Sequence, residues 1–223
     1  MTNFLVLQAH YVQYEVGLFS GQNLLRYYAD DKKYASRDLI PVIQNMFAQQ
    51  ERAIADLAGI IVNQGPAPFT SLRVIITTAN GLGFASRIPL IGVNGFHAFL
   101  QEHTNSSWPI TIALLNAFNN DLYYAIQQHD TFQMGCENGN QLLERLKEEF
   151  STNKIRFIGN GVPLFRQQID AIFGSNAYIQ EPSADACSLQ ALAINGIQLF
   201  TEKQLNTRLL PLYLKNIRYV PAI

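Results

Sequence analysis

Apolar positions along the chain alternate between two regimes: short runs of period two, and longer stretches repeating about every 3.6 residues. Residues 4–7 form a short apolar run. Residues 11–19 alternate more loosely, Gly21-Gln22-Asn23 makes a turn, and residues 24–29 return as a third run. Three such runs joined by tight turns predict an antiparallel meander. A helix is expected over 34–50, with Ser36 or Asp38 as its cap and Leu39, Ile43, Met46 and Phe47 along one side. Pro41 falls close to its first turn, while Ile40 and Val42 widen the apolar face beyond a single stripe. A strand over 57–62, a helix from Thr70 or Ser71 to Ser86, a strand over 89–93 and a helix over 94–102 follow.

The stretch 60–86 organises the chain. Its β-branched run ends in Gly65-Pro66, and Thr70 or Ser71 offers a side-chain oxygen to the first turn of the next helix. Leu72, Ile75, Ile76, Ala79, Leu82 and Gly83 recur at helical spacing, yet Val74, Thr77, Thr78, Gly81 and Ala85 leave no strongly polar side. A helix apolar or small all round needs cover all round. The chain's own sheet is one expected cover, and a second polypeptide is the other.

The second half repeats the order. Strands are expected over 110–115, 122–127 and 131–134, a charged amphipathic helix over 139–150, and a strand over 155–158. A helix over 163–173, a strand over 177–179 and a long helix over 184–200 close the chain. The pattern β-β-β-α-β-α thus occurs twice without obvious sequence identity between the halves. It predicts an α/β fold of two lobes with mixed sheets, residues 1–103 and 104–223, split within 101–109.

Composition narrows the function classes. The chain is 48% apolar, carries only 15% charged residues, and has a net charge of −1. That describes a globular protein without the clustered Lys and Arg of a phosphate-backbone binder, so any RNA is expected to be held by a partner. The first residues lack the basic head and long apolar run of a secretion signal, and no apolar run reaches bilayer length. With Cys136 and Cys187 far apart, two reduced thiols and a cytoplasmic location are expected, away from any membrane.

Candidate chemistry is sparse. Gly65-Pro66 before a helix has the makings of an anion cradle, but Pro68 removes an N–H and no Lys follows, so a structural turn is the leading reading. Gly159-Asn160-Gly161 sits at a strand end and also reads first as a tight turn. His97 and His103 lie six apart, facing away from one another on a helix, and His10 and His129 have no Cys within a few residues in sequence. No Gly-x-Ser-x-Gly elbow occurs, and Cys136 beside Glu137 reads as a loop thiol. Glu15 reads as a solvated strand residue. Tyr11, Tyr14, Tyr27, Tyr28 and Tyr34 make either a partner edge or, first, strand packing. No catalytic residue, cofactor or metal site is expected.

The run Gly65-Pro66-Ala67-Pro68-Phe69-Thr70-Ser71-Leu72-Arg73 resembles the Gly-Pro-Gly-Ser-Phe-Thr-Gly-Leu-Arg signature of the TsaB (YeaZ) family, with departures at Ala67, Pro68 and Ser71. The resemblance continues in order through Ile91-Gly92-Val93-Asn94, Gly159-Asn160-Gly161 and Pro211-Leu212-Tyr213-Leu214-Lys215. It implies the duplicated actin-like (ribonuclease H-like) lobe of sugar kinases and heat-shock-chaperone ATPases. It also implies a non-catalytic scaffold in tRNA threonylcarbamoyladenosine formation, pairing with TsaD and joined by TsaE, with tRNA met only indirectly and the old glycoprotease label disfavoured. Where the superfamily has a metal-holding acid after its first strand, and TsaB proteins have Asp-Thr-Ser, this chain has Gln8-Ala9-His10, which disfavours an active kinase or ATPase. Such an enzyme is the alternative, as is a diverged homodimer. The resemblance places the partner seam, and a homodimer through the same surface, on the helices at 34–50 and 70–86. Leu39, Ile43, Met46, Ile75, Ala79, Leu82 and Gly83 are the residues expected there.

Overall fold

A computed structural model describes residues 2–105 and 107–215. Ser106, inside the expected lobe boundary, and everything beyond Lys215 lie outside the described residues. The chain divides into two compact units. Among the described residues, one holds the chain up to Glu102 together with Ala186–Leu212, and the other holds the chain from His103 to Asp185 with Tyr213, Leu214 and Lys215.

In the first unit, β1 (Asn3–Ala9), β2 (Gln13–Ser20) and β3 (Asn23–Asp31) form the meander, followed by α1 (Ala35–Ala48), β4 (Leu57–Asn63), α2 (Phe69–Ser86), β5 (Leu90–Val93) and α3 (Gly95–His103). The sheet order is β3-β2-β1-β4-β5, with β1 parallel to β4 and β4 parallel to β5. In the second unit the elements are β6 (Ile110–Asn116), β7 (Asp121–Gln128), β8 (Thr131–Asn138), α4 (Gly139–Phe150), β9 (Ile155–Ile158), α5 (Arg166–Phe173) and β10 (Ala177–Ile179). Their order, β10-β9-β6-β7-β8, is the first sheet's order element for element. The duplication read from the pattern is therefore a duplication of topology.

Two helix starts differ from expectation. Tyr34 stands at the cap of α1 and Pro68 at the cap of α2, neither with a side-chain capping bond. Ser71 is buried one turn further in, so the Gly-Pro loop sets the start of α2 and not a hydroxyl cap. Pro41 lies beyond the first turn of α1, on its exposed side.

The last helix, α6 (Leu189–Thr201), begins five residues later than the pattern suggests, where the Ser188 hydroxyl accepts the Ala191 N–H at 3.1 Å. It packs on β1, β2, β4 and β5 and so belongs to the first unit, although a contiguous second lobe of 104–223 would have contained it. The physical reason lies in the first sheet. Leu5 and Leu7 face α1 and α2, while the alternate residues Phe4, Val6 and Gln8 face the opposite way and are equally buried. That second face needs a cover, and the apolar α6 provides it. Phe200 meets Phe4 edge-on at 5.1 Å between ring centroids. Gly196 lies so close to β4 that a Cβ there would come within 2.3 Å of Ile61.

Candidate functional site

The two helices expected at the seam, α1 and α2, pack against each other and against the sheet. On α2, Leu72, Ile75, Ile76, Ala79 and Gly83 turn inward. The outward side carries Arg73, Thr77, Gly81 and Ala85, with Phe69 45% and Phe84 87% exposed. The Arg73 guanidinium lies 3.8 Å from the centre of the Phe69 ring one turn before it. On α1 the outward side carries Ile40, 49% exposed, with Pro41, Gln44 and Asn45. Beside Phe84 runs a groove of about 730 Å³, lined by Gly83, Ala85, Arg87, Ile88, Pro89 and the segment Leu205, Asn206 and Thr207. That segment is held to the sheet by a reciprocal pair of backbone bonds between Asn206 and Leu90.

The seven residues expected at the seam are found mostly on the inner side. Leu39, Ile43, Met46, Ile75 and Ala79 are all in the core of the first unit, Gly83 is buried against Leu90, and Leu82 is half-buried against the same core. The side chains of Leu39, Ile43, Met46, Ile75 and Ala79 are taken up by the first unit's own core. Periodicity finds the apolar stripe, and a sheet claims the strongest stripe first. The aromatic and aliphatic side chains left outside, Phe69, Phe84 and Ile40, sit about one third of a helical turn away.

A second cluster lies at the end of β1. The β1/β2 register sets Gln8 opposite Glu15. Glu15 is only 8% exposed and not a solvated strand residue as its alternation suggested, because β2 is an interior strand with helices over both faces of the sheet. Gln8 Nε2 donates to Glu15 Oε2 at 2.5 Å, Gln13 Nε2 donates to Oε1 at 3.1 Å, and the Tyr27 hydroxyl donates to Oε1 at 2.5 Å. His10 Nε2 lies 3.5 Å from Oε2. Burial alone would raise the Glu15 pKa, but the bonds from His10, Tyr27 and Gln8 outweigh it and hold the carboxyl below its ordinary range. Tyr27 is pushed up to about 12 by its own burial and by the carboxylate it faces. Gln8 also donates to the Cys187 carbonyl at 3.0 Å and accepts from Asn63 Nδ2 at 3.2 Å, so its amide crosslinks the end of β1 to its neighbours. Burial and the charges of Glu102 and Glu15 push the Cys187 thiol up, which makes it inert packing.

The loop candidates are tied down as well. The Gly65 N–H donates to Asn63 Oδ1 at 2.8 Å, and the Gly65 carbonyl accepts from Gly95 N at 2.8 Å. Gly65 itself has φ of +109°, a region only glycine enters easily. In the second unit, Asn160 Oδ1 accepts from Asn116 N at 3.0 Å and Gly161 N donates to the Leu114 carbonyl at 2.9 Å, which makes that triplet a clasp on β6. Lys215, the last residue of the 211–215 motif, pairs with Asp121 at 2.8 Å and donates to the Ala117 carbonyl. His97 is exposed and His103 half-buried on α3, and no group of three His, Cys, Asp or Glu able to hold a metal occurs among the described residues. None of the helices among the described residues is long and apolar enough to cross a membrane.

The profile described as TsaD, tRNA N6-adenosine threonylcarbamoyltransferase, matches residues 30–211, well over half of the chain. The chain belongs to the TsaD family, on its TsaB (YeaZ) side. A tRNA N6-adenosine threonylcarbamoyltransferase of Solidesulfovibrio magneticus is 44% identical over 68 residues, 30% of this chain and 18% of that protein. The tRNA threonylcarbamoyladenosine biosynthesis protein TsaB of Bacillus subtilis is 23% identical over 154 residues, 66% of each chain. The matches thus span 18% and 66% of these relatives' own lengths. YeaZ from Pseudomonas aeruginosa shares the fold at a TM-score of 0.71 and 18% identity, covering 96% of this chain and 100% of that one. In this TsaB-side member the family signature spans the buried Gly65 turn and the first turn of α2, and Phe69 and Arg73 bring it onto the outward side of that helix.

Proposed function

We propose that this chain is a non-catalytic subunit of tRNA threonylcarbamoyladenosine formation that docks a TsaD partner on the outward side of α1 and α2. The observation that carries the reading is the set of large apolar side chains exposed on the outer side of those helices. Phe84 is 87% exposed, with Ile40 and Phe69 half exposed, while Thr77 and Gly81 are small enough to admit a close helix. Membership of the TsaD family supports the pathway, and the B. subtilis relative is named for it. The groove beside Phe84 extends the face and supports an aromatic or aliphatic anchor from the partner. The contribution to the reaction is then a coupling free energy: binding stabilises the partner's working arrangement, and TsaE joins that assembly.

The absence of chemistry in this subunit is supported by the Glu15 cluster. Gln8 offers no anionic oxygen to magnesium, and the Glu15 carboxylate is already engaged by Gln8, Gln13 and Tyr27. An actin-like kinase or ATPase is therefore not favoured.

The test is complementation of a TsaB-depleted bacterium supplied with its cognate TsaD, read as the modified nucleoside in digested tRNA. The chain restores the nucleoside, and Phe84→Asp together with Ile40→Asp abolishes rescue. Calorimetry then shows TsaD binding weakened by at least about a hundredfold, the scale of two desolvated charges at a seam. Undiminished affinity in the folded double variant sinks the proposed face, and magnesium-dependent ATP turnover by the purified chain sinks the non-catalytic role.

A further inference from the structure

The hairpin that joins β6 to β7 turns through three consecutive left-handed residues, none of them glycine. Phe118, Asn119 and Asn120 have φ of +61°, +56° and +61°. Asparagine enters that region readily, because its short side chain can bond locally, but a bulky aromatic residue rarely does. The surroundings of Phe118 hold it there. Its N–H donates to Asn116 Oδ1 at 2.8 Å, and its carbonyl accepts from Asp121 N at 3.1 Å and from Lys215 Nζ at 3.3 Å. The ring gains little burial from this conformation, being 53% exposed. Backbone strain kept in place by its surroundings gathers at binding sites.

The ring borders a cavity of about 420 Å³ built wholly from the second unit, within the size range of small-molecule sites. Three elements supply its polar wall. Asn119 and Asn120 come from the hairpin, Asn140 from the first turn of α4 and Gln168 from the first turn of α5. The carboxamides of these four make no hydrogen bond among the described residues. Phe118 and Leu164, each more than half exposed, supply apolar faces. A solvated turn accounts for Asn119 and Asn120 but not for the strained aromatic beside them, nor for two further carboxamides converging from separate helices.

The wall is polar yet carries no free charge. Its one carboxylate, Asp121, is paired with Lys215 at 2.8 Å. The nearby Gly161 N–H, a candidate phosphate donor, is spent on the Leu114 carbonyl at 2.9 Å. An anionic ligand therefore finds no counter-charge here. Each carboxamide sets a donor beside an acceptor, which suits a hydroxyl that both gives and accepts. A heterocyclic base presents its polar atoms along one planar edge, whereas a sugar ring radiates hydroxyls in several directions and keeps an apolar C–H face. Carboxamides converging from three elements around an exposed aromatic ring match the sugar.

We propose that this cavity binds a neutral carbohydrate ring, with Phe118 against its C–H face and the carboxamides on its hydroxyls. The site belongs to the second unit alone and goes beyond the proposed function, which rests on α1 and α2 of the first.

The test is nuclear magnetic resonance of the isotope-labelled full-length chain, titrated with methyl α-glucopyranoside, methyl β-galactopyranoside, sucrose and maltose. Each is taken to about 50 mM, enough to detect a millimolar Kd. Adenosine and inorganic phosphate are run alongside. At least one sugar shifts the side-chain NH₂ signals of Asn119, Asn120, Asn140 and Gln168 saturably, and phosphate does not. Phe118→Gly weakens binding by about tenfold or more while Tm stays level or rises, because glycine accepts the left-handed φ and only the ring is lost. Gln168→Ala, on an exposed position, weakens binding by about threefold or more and leaves Tm unchanged. Four sugars that leave all these signals in place overturn the proposal, as does adenosine or phosphate shifting them where the sugars do not. Undiminished sugar binding in Phe118→Gly overturns it too, and a fall in Tm without a change in affinity makes Phe118 a packing residue only.

Discussion

Replacing Glu15 with Gln tests the buried cluster at the end of β1, and the outcome depends on pH in a defined direction. The substitution keeps shape and removes charge. It also turns one carboxylate oxygen into an NH₂ group, which must face either Gln8 Nε2 or the Tyr27 and Gln13 donors. At least one donor on an 8% exposed site then loses its acceptor. Hydrogen bonds to a charged group contribute about 1.5–3 kcal/mol each, and relief of the buried charge offsets part of that loss. The net destabilisation near neutral pH is about 2 kcal/mol, or about 4–8 °C in Tm for a chain of this size. The folded-state pKa of Glu15 lies below its ordinary value of 4.5, so its contribution is complete well above that pH and lost as pH falls through the folded pKa. Differential scanning calorimetry of both proteins from neutral pH down past 4 should show a gap that narrows with acid. Equal stability at neutral pH, or a gap that persists unchanged in acid, would refute the account of this carboxylate.

Two further substitutions test the core and the clamp on the same helix. Ala79→Arg puts a long cation where Ala79 is 0% exposed, between α2 and the sheet, and should cost 3 kcal/mol or more, on the order of other unpaired buried charges; chemical denaturation reads this as loss of the fold, not as a selective loss of partner affinity. Asn80 clamps the returning chain, its Nδ2 donating to the Leu209 carbonyl at 3.0 Å and its Oδ1 accepting the Leu209 N–H at 2.8 Å. Asn80→Ala removes both bonds, worth about 1–3 kcal/mol together, and should free the segment 203–212 to exchange hydrogen and be cut by protease while β1 to β4 stay protected.

How much of this was legible beforehand follows the physics of each feature. Strand and helix existence read well, and α4 and β9 were expected at the ends they have, because a clean amphipathic period and a turn on each side leave no rival arrangement. Glu15 was misread because alternation assumes one solvated face, and β2 has none. Asn80 is a polar side chain between two apolar stretches of α2, yet its partner lies 129 residues away. The seam residues were assigned to the stripe that is easiest to see, which is the stripe a sheet buries.

By itself the sequence determined the class of fold, its internal duplication and its family likeness, since these rest on local periodicity and short motifs that need no neighbour to be read. Only the tertiary structure decided that α6 returns to cover the first sheet, that Gln8 and Glu15 meet, and that Phe84 faces outward while Ala79 does not. Each of these depends on which surface reaches a given stripe first, and that competition is between segments far apart in the chain.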